Sequence, residues 1–456
     1  MQKSRRTVAK SRKTTKKNVS KASKFSTKKR EKVHSFFELY FHGLAGVIGL
    51  GILVIPLFVA LVYGGVFSIY MVIGAGFIAL LIGMLIYDIS ITHNHDPYNF
   101  LKNVVKKEYS FIFVFLLLVS FIITITAAGI ASVGELSLFF GLSPFTSIAI
   151  IDLLFIIMWI MIFYNRIRMT LNFAGAFKIF FVILLIVLGA IALLSSKTTP
   201  VAGVQMSYVF PISAPLFLFG LLLMLWIYGG FEGASIVYKG EKRTDVAKAL
   251  IAIILTAIIL FAIIQTFVFS SENSQIVGKL ISPILSSTPT ANIFTANILS
   301  APFGLGVEYV IVGISIIVIL LTAFALINAS NRTLDDVSKD GLMPSFLQKD
   351  ENLKLLITAA VPIVLITIFA PVIVNSGVFS YLSLIIISAL SFAASFAFFS
   401  FGYGYFYSKK KDYARASFGF FVFLLLLALI VTSPIAFLIG LIIILIVAFI
   451  GYALIR

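Results

Sequence analysis

The chain contains no cysteine, only two tryptophans, and 18 acidic residues in 456. Without cysteine, disulfides and thiolate metal sites are excluded, and the redox compartment is left open. The four histidines, His34, His42, His93 and His95, have no metal-ligand spacing and are expected at interfaces or in solvent. No metal and no cofactor is therefore expected. The apolar runs contain no His-Glu-x-x-His, no cysteine nucleophile and no Ser/His pair, so an intramembrane enzyme is disfavoured. Charge is scarce as well: 12% of residues are charged and 60% hydrophobic, with a mean hydropathy of +1.10. An ordinary soluble protein is excluded.

What the chain has is long apolar runs. Crossing ~30 Å of hydrocarbon takes about 20 helical residues. Twelve such runs lie at roughly 40–63, 66–88, 110–139, 145–164, 171–194, 215–238, 247–270, 303–330, 354–374, 377–401, 414–432 and 434–454. The fold class predicted is an all-α membrane protein of about 12 transmembrane helices. No removable signal peptide is expected, so the first span would act as its own insertion signal.

The net charge of +17 is mostly topology. Residues 1–34 hold fourteen Lys or Arg against one acid, Glu31. If each run is a span, 32 of the 35 basic residues fall on one side, Lys197 and Lys279 on the other, and Lys178 inside a span. The positive-inside rule then places both termini in the cytoplasm of a multi-pass protein, by default in the cell (plasma) membrane. Residues 1–34 read as a disordered basic cytoplasmic tail that rests on anionic membrane lipid. No aromatic or folded module accompanies the tail, so no nucleic acid is expected as a partner. No obligate protein partner is inferred.

Two runs are broken by glycine at mid-span. The first reads Gly46-Val47-Ile48-Gly49-Leu50-Gly51, followed by Pro56; the second reads Tyr228-Gly229-Gly230-Phe231-Glu232-Gly233. Glycine lets a backbone unwind and another group approach it. Unwound backbone survives in hydrocarbon only where protein buries it or where it lines a wet cavity. Such breaks in corresponding positions of two halves point to the substrate site of a secondary transporter. Unwinding the first span frees amides near Gly49, Leu50 and Gly51, which suit a carboxylate. Unwinding the sixth frees carbonyls near Trp226, Ile227 and Tyr228, which suit an ammonium.

The segment Gly46–Ile52 with Pro56 resembles the helix 1 signature of the amino acid–polyamine–organocation (APC) transporters. Trp-Ile-Tyr-Gly-Gly-Phe-Glu at 226–232 looks like that family's helix 6 motif, and Asn331-Arg332-Thr333-Leu334 with Lys339-Asp340-Gly341-Leu342-Met343-Pro344 like its helix 8 motif. Together the motifs cover about residues 36–405. The resemblance implies an amino acid permease with a 5+5 inverted repeat, discontinuous helices 1 and 6, and two extra helices. The repeats would be residues 35–200 and 201–405, with two additional transmembrane helices in 406–456.

On that reading the substrate-binding residues are Val47, Ile48, Gly49, Leu50, Gly51, Trp226, Ile227, Tyr228, Gly229, Gly230 and Phe231. Trp226 would be an aromatic lid. Coupling and gating would fall to Lys178, Glu232, Arg332 and Asp340, Lys178 standing where sodium-dependent relatives bind a sodium ion. Asp335, Asp336 and Asp340 are expected to pair with Lys239, Lys242 or Arg243 when the cytoplasmic side closes. Glu135 and Glu308 are expected at the outer interface, and Asp152 has no evident partner. The chain departs from the family where Leu50 replaces a frequent serine and where the acidic pair beyond helix 6 is absent. The function expected is secondary active amino acid transport by alternating access, as proton-coupled symport or substrate exchange. The alternatives are a polyamine or organic amine transporter and a non-transporting solute sensor. The partners expected are a small-molecule amino acid or amine, protons and membrane lipid.

Overall fold

Hydrocarbon offers backbone groups no water, so a spanning segment must bond them internally. Among the described residues, every regular element is accordingly a helix. The computed structural model describes residues 35–63, 65–164, 167–195, 213–232, 243–270, 299–300, 303–343, 348, 350–376 and 378–455. Residues 1–34, 196–212, 233–242 and 271–298 are the longer stretches that lie outside them.

The helices in chain order are α1 (Phe36–Val47), α2 (Leu50–Tyr63), α3 (Gly65–His93), α4 (Pro97–Phe100), α5 (Lys107–Phe139), α6 (Pro144–Phe163) and α7 (Ile167–Ser195). There follow α8 (Ala214–Trp226), α9 (Arg243–Ser270), α10 (Leu305–Lys339), α11 (Glu351–Ser376), α12 (Val378–Lys409), α13 (Tyr413–Val431) and α14 (Ile435–Ile455). A π-helical turn, Leu101–Val105, joins α4 to α5. Ten of these helices are long and apolar enough to span a membrane. The pair α1 and α2 forms one more span, bent by 42° between Phe36–Val47 and Leu50–Pro56. The run expected at 215–238 is α8 and the turn after it; residues 233–242 lie outside the described part.

The core is built by α5, α10 and α12 packing on one another's neighbours: α12 lies on α13 and α5, α5 on α10, α9 on α3, and α1 on α7. The opposite faces of the outer helices are apolar and exposed, as at Leu153, Ile156, Phe180, Ile183, Val364, Ile368, Ile442 and Ile446. That belt is the surface hydrocarbon covers. Gln265 of α9 donates to the Pro56 carbonyl (3.1 Å) and to Ser68 Oγ (2.6 Å), tying α2 and α3 together across the bend.

Ion pairs gather the lysine-rich helix ends on one face. Arg415 of α13 meets Asp88 of α3 at 3.1 Å, and Tyr403 and Tyr407 of α12 donate to the same carboxylate at 2.8 and 3.2 Å. Asp335 pairs with Lys339 and, at 3.0 Å, with Lys354; Asp340 pairs with Lys102 at 2.7 Å. The pairings expected with Lys239, Lys242 and Arg243 fall on residues that lie, wholly or by their side chains, outside the described part. Three expectations are corrected. Glu135, four residues from the end of α5, and His42 of α1 are buried against protein instead of being solvated. Asp152 does have a partner: Thr367 Oγ1 of α11 donates to it at 3.0 Å.

Close helix approach rests on particular glycines. A Cβ at Gly175 of α7 would run into the Phe41 backbone of α1, whereas one at Gly134 of α5 would meet nothing within 4 Å. Gly175→Ala is expected to destabilise the bundle by about 1–3 kcal/mol, the usual cost of overpacking. Gly134→Ala is expected to be neutral or to stabilise by up to about 1 kcal/mol. Thermal unfolding of the two purified variants in one detergent checks the contrast, and equal melting temperatures would contradict it.

Candidate functional site

The two glycine breaks face each other. A Cβ at Gly46 would lie 2.8 Å from the Gly230 carbonyl oxygen, and one at Gly230 would lie 2.7 Å from the Gly46 carbonyl. Lower in the gap, a Cβ at Gly51 would lie 2.8 Å from the Ile227 Cα. The two backbones thus touch along the break, and only residues without side chains permit it. Gly230 also has φ +106°, a conformation that side-chain-bearing residues rarely adopt.

At the first break the ladder stops after Ile48 N–H donates to the Leu44 carbonyl (3.0 Å), and α2 restarts at Leu50. The Leu50 and Gly51 amides open a helix and have no intrahelical acceptor. At the second break, α8 tightens into i→i+3 bonds: Ile227 to Met224, Tyr228 to Leu225, and Gly229 to Trp226 at 2.9 Å. Of the three carbonyls expected to be free, that of Trp226 therefore already accepts a bond. Those of Ile227 and Tyr228 have no backbone donor among the described residues. The Gly230 amide is taken by the Glu232 carboxylate at 3.0 Å, so this buried side chain fastens the turn onto itself.

Between the breaks lies a cavity of about 20 Å³, room for one water molecule and too small for an amino acid. Gly46, Val47, Leu50, Gly51, Trp226, Ile227, Gly229, Gly230 and Glu232 line it. Ser120, Phe121, Thr124, Thr322, Leu326 and Phe392 from α5, α10 and α12 complete the wall. Ile48, Gly49, Tyr228 and Phe231 do not line it. The Tyr228 hydroxyl donates to the Val72 carbonyl of α3 at 2.9 Å, and the Phe231 ring packs on Phe392 and Phe396 of α12. A Cβ at Gly49 would overlap the Thr322 side chain, so this glycine makes room for α10.

Trp226 is buried, and its indole N–H donates to Ser388 Oγ at 2.9 Å and to Thr124 Oγ1 at 3.2 Å. Ser388 in turn donates to the Ser120 carbonyl at 3.0 Å. Hydroxyls of α5 and α12 thus fix the ring at the cavity wall.

Lys178 of α7 has no exposed surface. Its ammonium donates to the Ala45 carbonyl of α1 and, at 2.6 Å, to Thr322 Oγ1. The Thr322 hydroxyl lies 3.2 Å from the Ile48 carbonyl and 3.0 Å from that of Val318, and its single proton serves one of them at a time. Lys178 therefore reaches the first break through Thr322 and through Ala45, without lining the cavity.

Arg332 and Asp340 lie at the other end of α10, away from the cavity. Arg332 is exposed. Asp340 accepts from Lys102 at 2.7 and 2.8 Å and from the Tyr98 hydroxyl. Burial, and then the hydrogen bond to Asp340, push the Tyr98 phenol above its usual range, so it stays a donor. Sequence reasoning missed Thr322, Ser388, Thr124, Tyr98 and Lys102. For Thr322 a signal was present, a lone hydroxyl in the apolar run Ile316–Leu326.

Comparison with solved structures finds the same fold in a manganese transporter of Eremococcus coleocola. A point mutant of that transporter, with alanine in place of a histidine, aligns with a TM-score of 0.52 at 14% identity, covering 94% of this chain and 98% of that one. The same transporter in complex with an aromatic bis-isothiourea substituted compound aligns equally well, with a TM-score of 0.52 at 13% identity and the same coverage. Comparison with curated proteins finds no match. The amino acid permease family profile matches residues 35–454. That stretch takes in both breaks, Lys178 and the whole described bundle, and the chain accordingly belongs to the amino acid permease family, as a multi-pass membrane transporter.

Proposed function

We propose that the protein is a secondary active transporter of neutral, apolar amino acids, working by alternating access around the two breaks. The observation that supports this reading is the backbone contact between Gly46 and Gly230, which brings the two breaks together beside one cavity lined by Leu50, Gly51 and Ile227. A zwitterion would be held at both ends: the α2 amides would take its carboxylate at the positive end of a helix dipole, and the Ile227 carbonyl would take its ammonium. With Leu50 in place of a serine, the carboxylate contact falls to backbone alone. Val47, Leu50, Phe121, Leu326 and Phe392 would receive an apolar side chain. Since the cavity has room for one water, binding requires the breaks to part. Residues 35–200 and 201–405 act as the two repeats, with 406–456 added, and both termini are cytoplasmic at the plasma membrane.

Coupling is assigned to the proton. Lys178 ties α7 to α1 and α10 through a carbonyl and a hydroxyl, and a buried ammonium held by neutral partners is costly. Losing the proton weakens its grip on Ala45 and releases the first break. A polyamine would want several carboxylates, and the cavity wall carries one, Glu232, already spent on Gly230. The same holds for manganese, which favours octahedral oxygen coordination.

Three outcomes are expected. In proteoliposomes, labelled apolar amino acids are taken up, and an inward proton gradient stimulates uptake in the wild type but not in Lys178→Ala. Gradient-independent exchange would reassign Lys178 to structure, and uptake of polyamine or Mn²⁺ with no amino acid would overturn the reading. Trp226→Phe and Ser388→Ala break one shared hydrogen bond, so each is expected to weaken substrate binding by about 0.5–1.5 kcal/mol. The double variant should cost less than the sum of the two single ones, since the Trp226–Ser388 bond is lost in both; full additivity in a binding titration would contradict the shared bond. Finally, Asp340→Lys should depress transport, and Asp340→Lys with Lys102→Asp should recover part of it. Unchanged transport in the first variant would remove Asp340 from the gate.

A further inference from the structure

The lysine-rich face holds a second cavity of about 870 Å³, which shares no wall with the site between the breaks. Its wall comes from three parts of the chain: Lys102, Lys106, Lys107 and Glu108 around the start of α5, Asp340 and the turn after α10, and Tyr452 near the end of α14. The charges there are not equivalent. Lys102 is held by Asp340, and Glu108 accepts from the Tyr452 hydroxyl at 3.1 Å. The Lys106 and Lys107 side chains are exposed, and among the described residues neither ammonium has a partner. Two free cations therefore face a cavity of ligand size.

The depth of the cavity indicates what enters it. Lys107 is the first residue of the span Lys107–Ser137, and Tyr452 lies just inside the end of Ile435–Leu454. Both mark the level where hydrocarbon gives way to headgroups, where tyrosine rings and lysine ammoniums settle. Lipid phosphates lie at that level, and basic pockets between span ends suit anionic headgroups. A zwitterionic headgroup brings its own cation and gains little from two more. We propose that this cavity binds a phosphate-bearing anion, the headgroup of an anionic lipid, through Lys106 and Lys107.

The test uses the full chain in nanodiscs of phosphatidylcholine, with and without phosphatidylglycerol, and reads amine labelling of individual lysines by mass spectrometry. Lys106 and Lys107 should be protected when phosphatidylglycerol is present, while Lys410 and Lys411 serve as internal references. Phosphatidylglycerol retained through purification should fall by about fivefold for each lysine removed in Lys106→Gln and Lys107→Gln. Lys106→Arg with Lys107→Arg should retain it, and the basic N-terminal segment, common to all variants, cancels in the ratio. Protection by inorganic phosphate in pure phosphatidylcholine discs would keep the anion site and overturn the lipid as its source. Equal labelling under all three conditions, or unchanged retention by the double glutamine variant, would overturn the site itself.

Discussion

The contact between Gly46 and Gly230 is the constraint on which the rest of the bundle depends. Two backbones meet with no side chain between them, inside an apolar bundle, where each unpaired polar group is costly. Each neighbouring feature follows from that cost. Glu232 is buried because the Gly230 amide needs an acceptor. The i→i+3 bonds after α8 draw in the Met224, Leu225 and Trp226 carbonyls that an ended helix would leave bare. Thr322 occupies the space left by the missing Gly49 side chain and offers its hydroxyl to the Ile48 carbonyl. On the proposed reading, the Leu50 and Gly51 amides and the Ile227 carbonyl, all at the cavity wall, are what a zwitterionic substrate would engage.

Much of this was legible in the chain itself. Long apolar runs and the one-sided distribution of lysine and arginine gave the spans, because hydrocarbon thickness and membrane charge act on composition directly. The breaks were legible because Gly-rich segments in such runs contradict their own surroundings. The partners of the site were not. Ser388 and Thr124 reach the Trp226 indole from α12 and α5, more than 100 residues away in sequence, and a hydroxyl in an apolar helix carries no periodic signal, since it can bond its own i−4 carbonyl. Ser132 and Thr126 do that within α5. The burial of Glu135 and His42 was missed for a related reason: distance from a span end predicts depth in the membrane, not whether the residue faces lipid or protein.

The lysine-rich face shows the same limit. Charge counting put Asp340 near basic residues but could not choose among them. The choice was made by α4 and the π-helical turn, which bring Tyr98 and Lys102 onto the Asp340 carboxylate. That turn is short, and nothing in its composition marks it as the element facing α10.

One helix joins the two ends of this arrangement. Thr322 at the cavity and Asp340 at the lysine-rich face belong to α10 and its cap, roughly 27 Å apart at about 1.5 Å per residue. Among the described residues α10 is unbroken over Leu305–Lys339, while the α1–α2 pair it packs against at the cavity is interrupted. Any movement of the first break that carries Thr322 along must also work against the grip of Lys102 and Tyr98 on Asp340. The cavity wall at Thr322 and the lysine-rich face at Asp340 are thereby joined by covalent continuity, with no need for a relay of side chains between them.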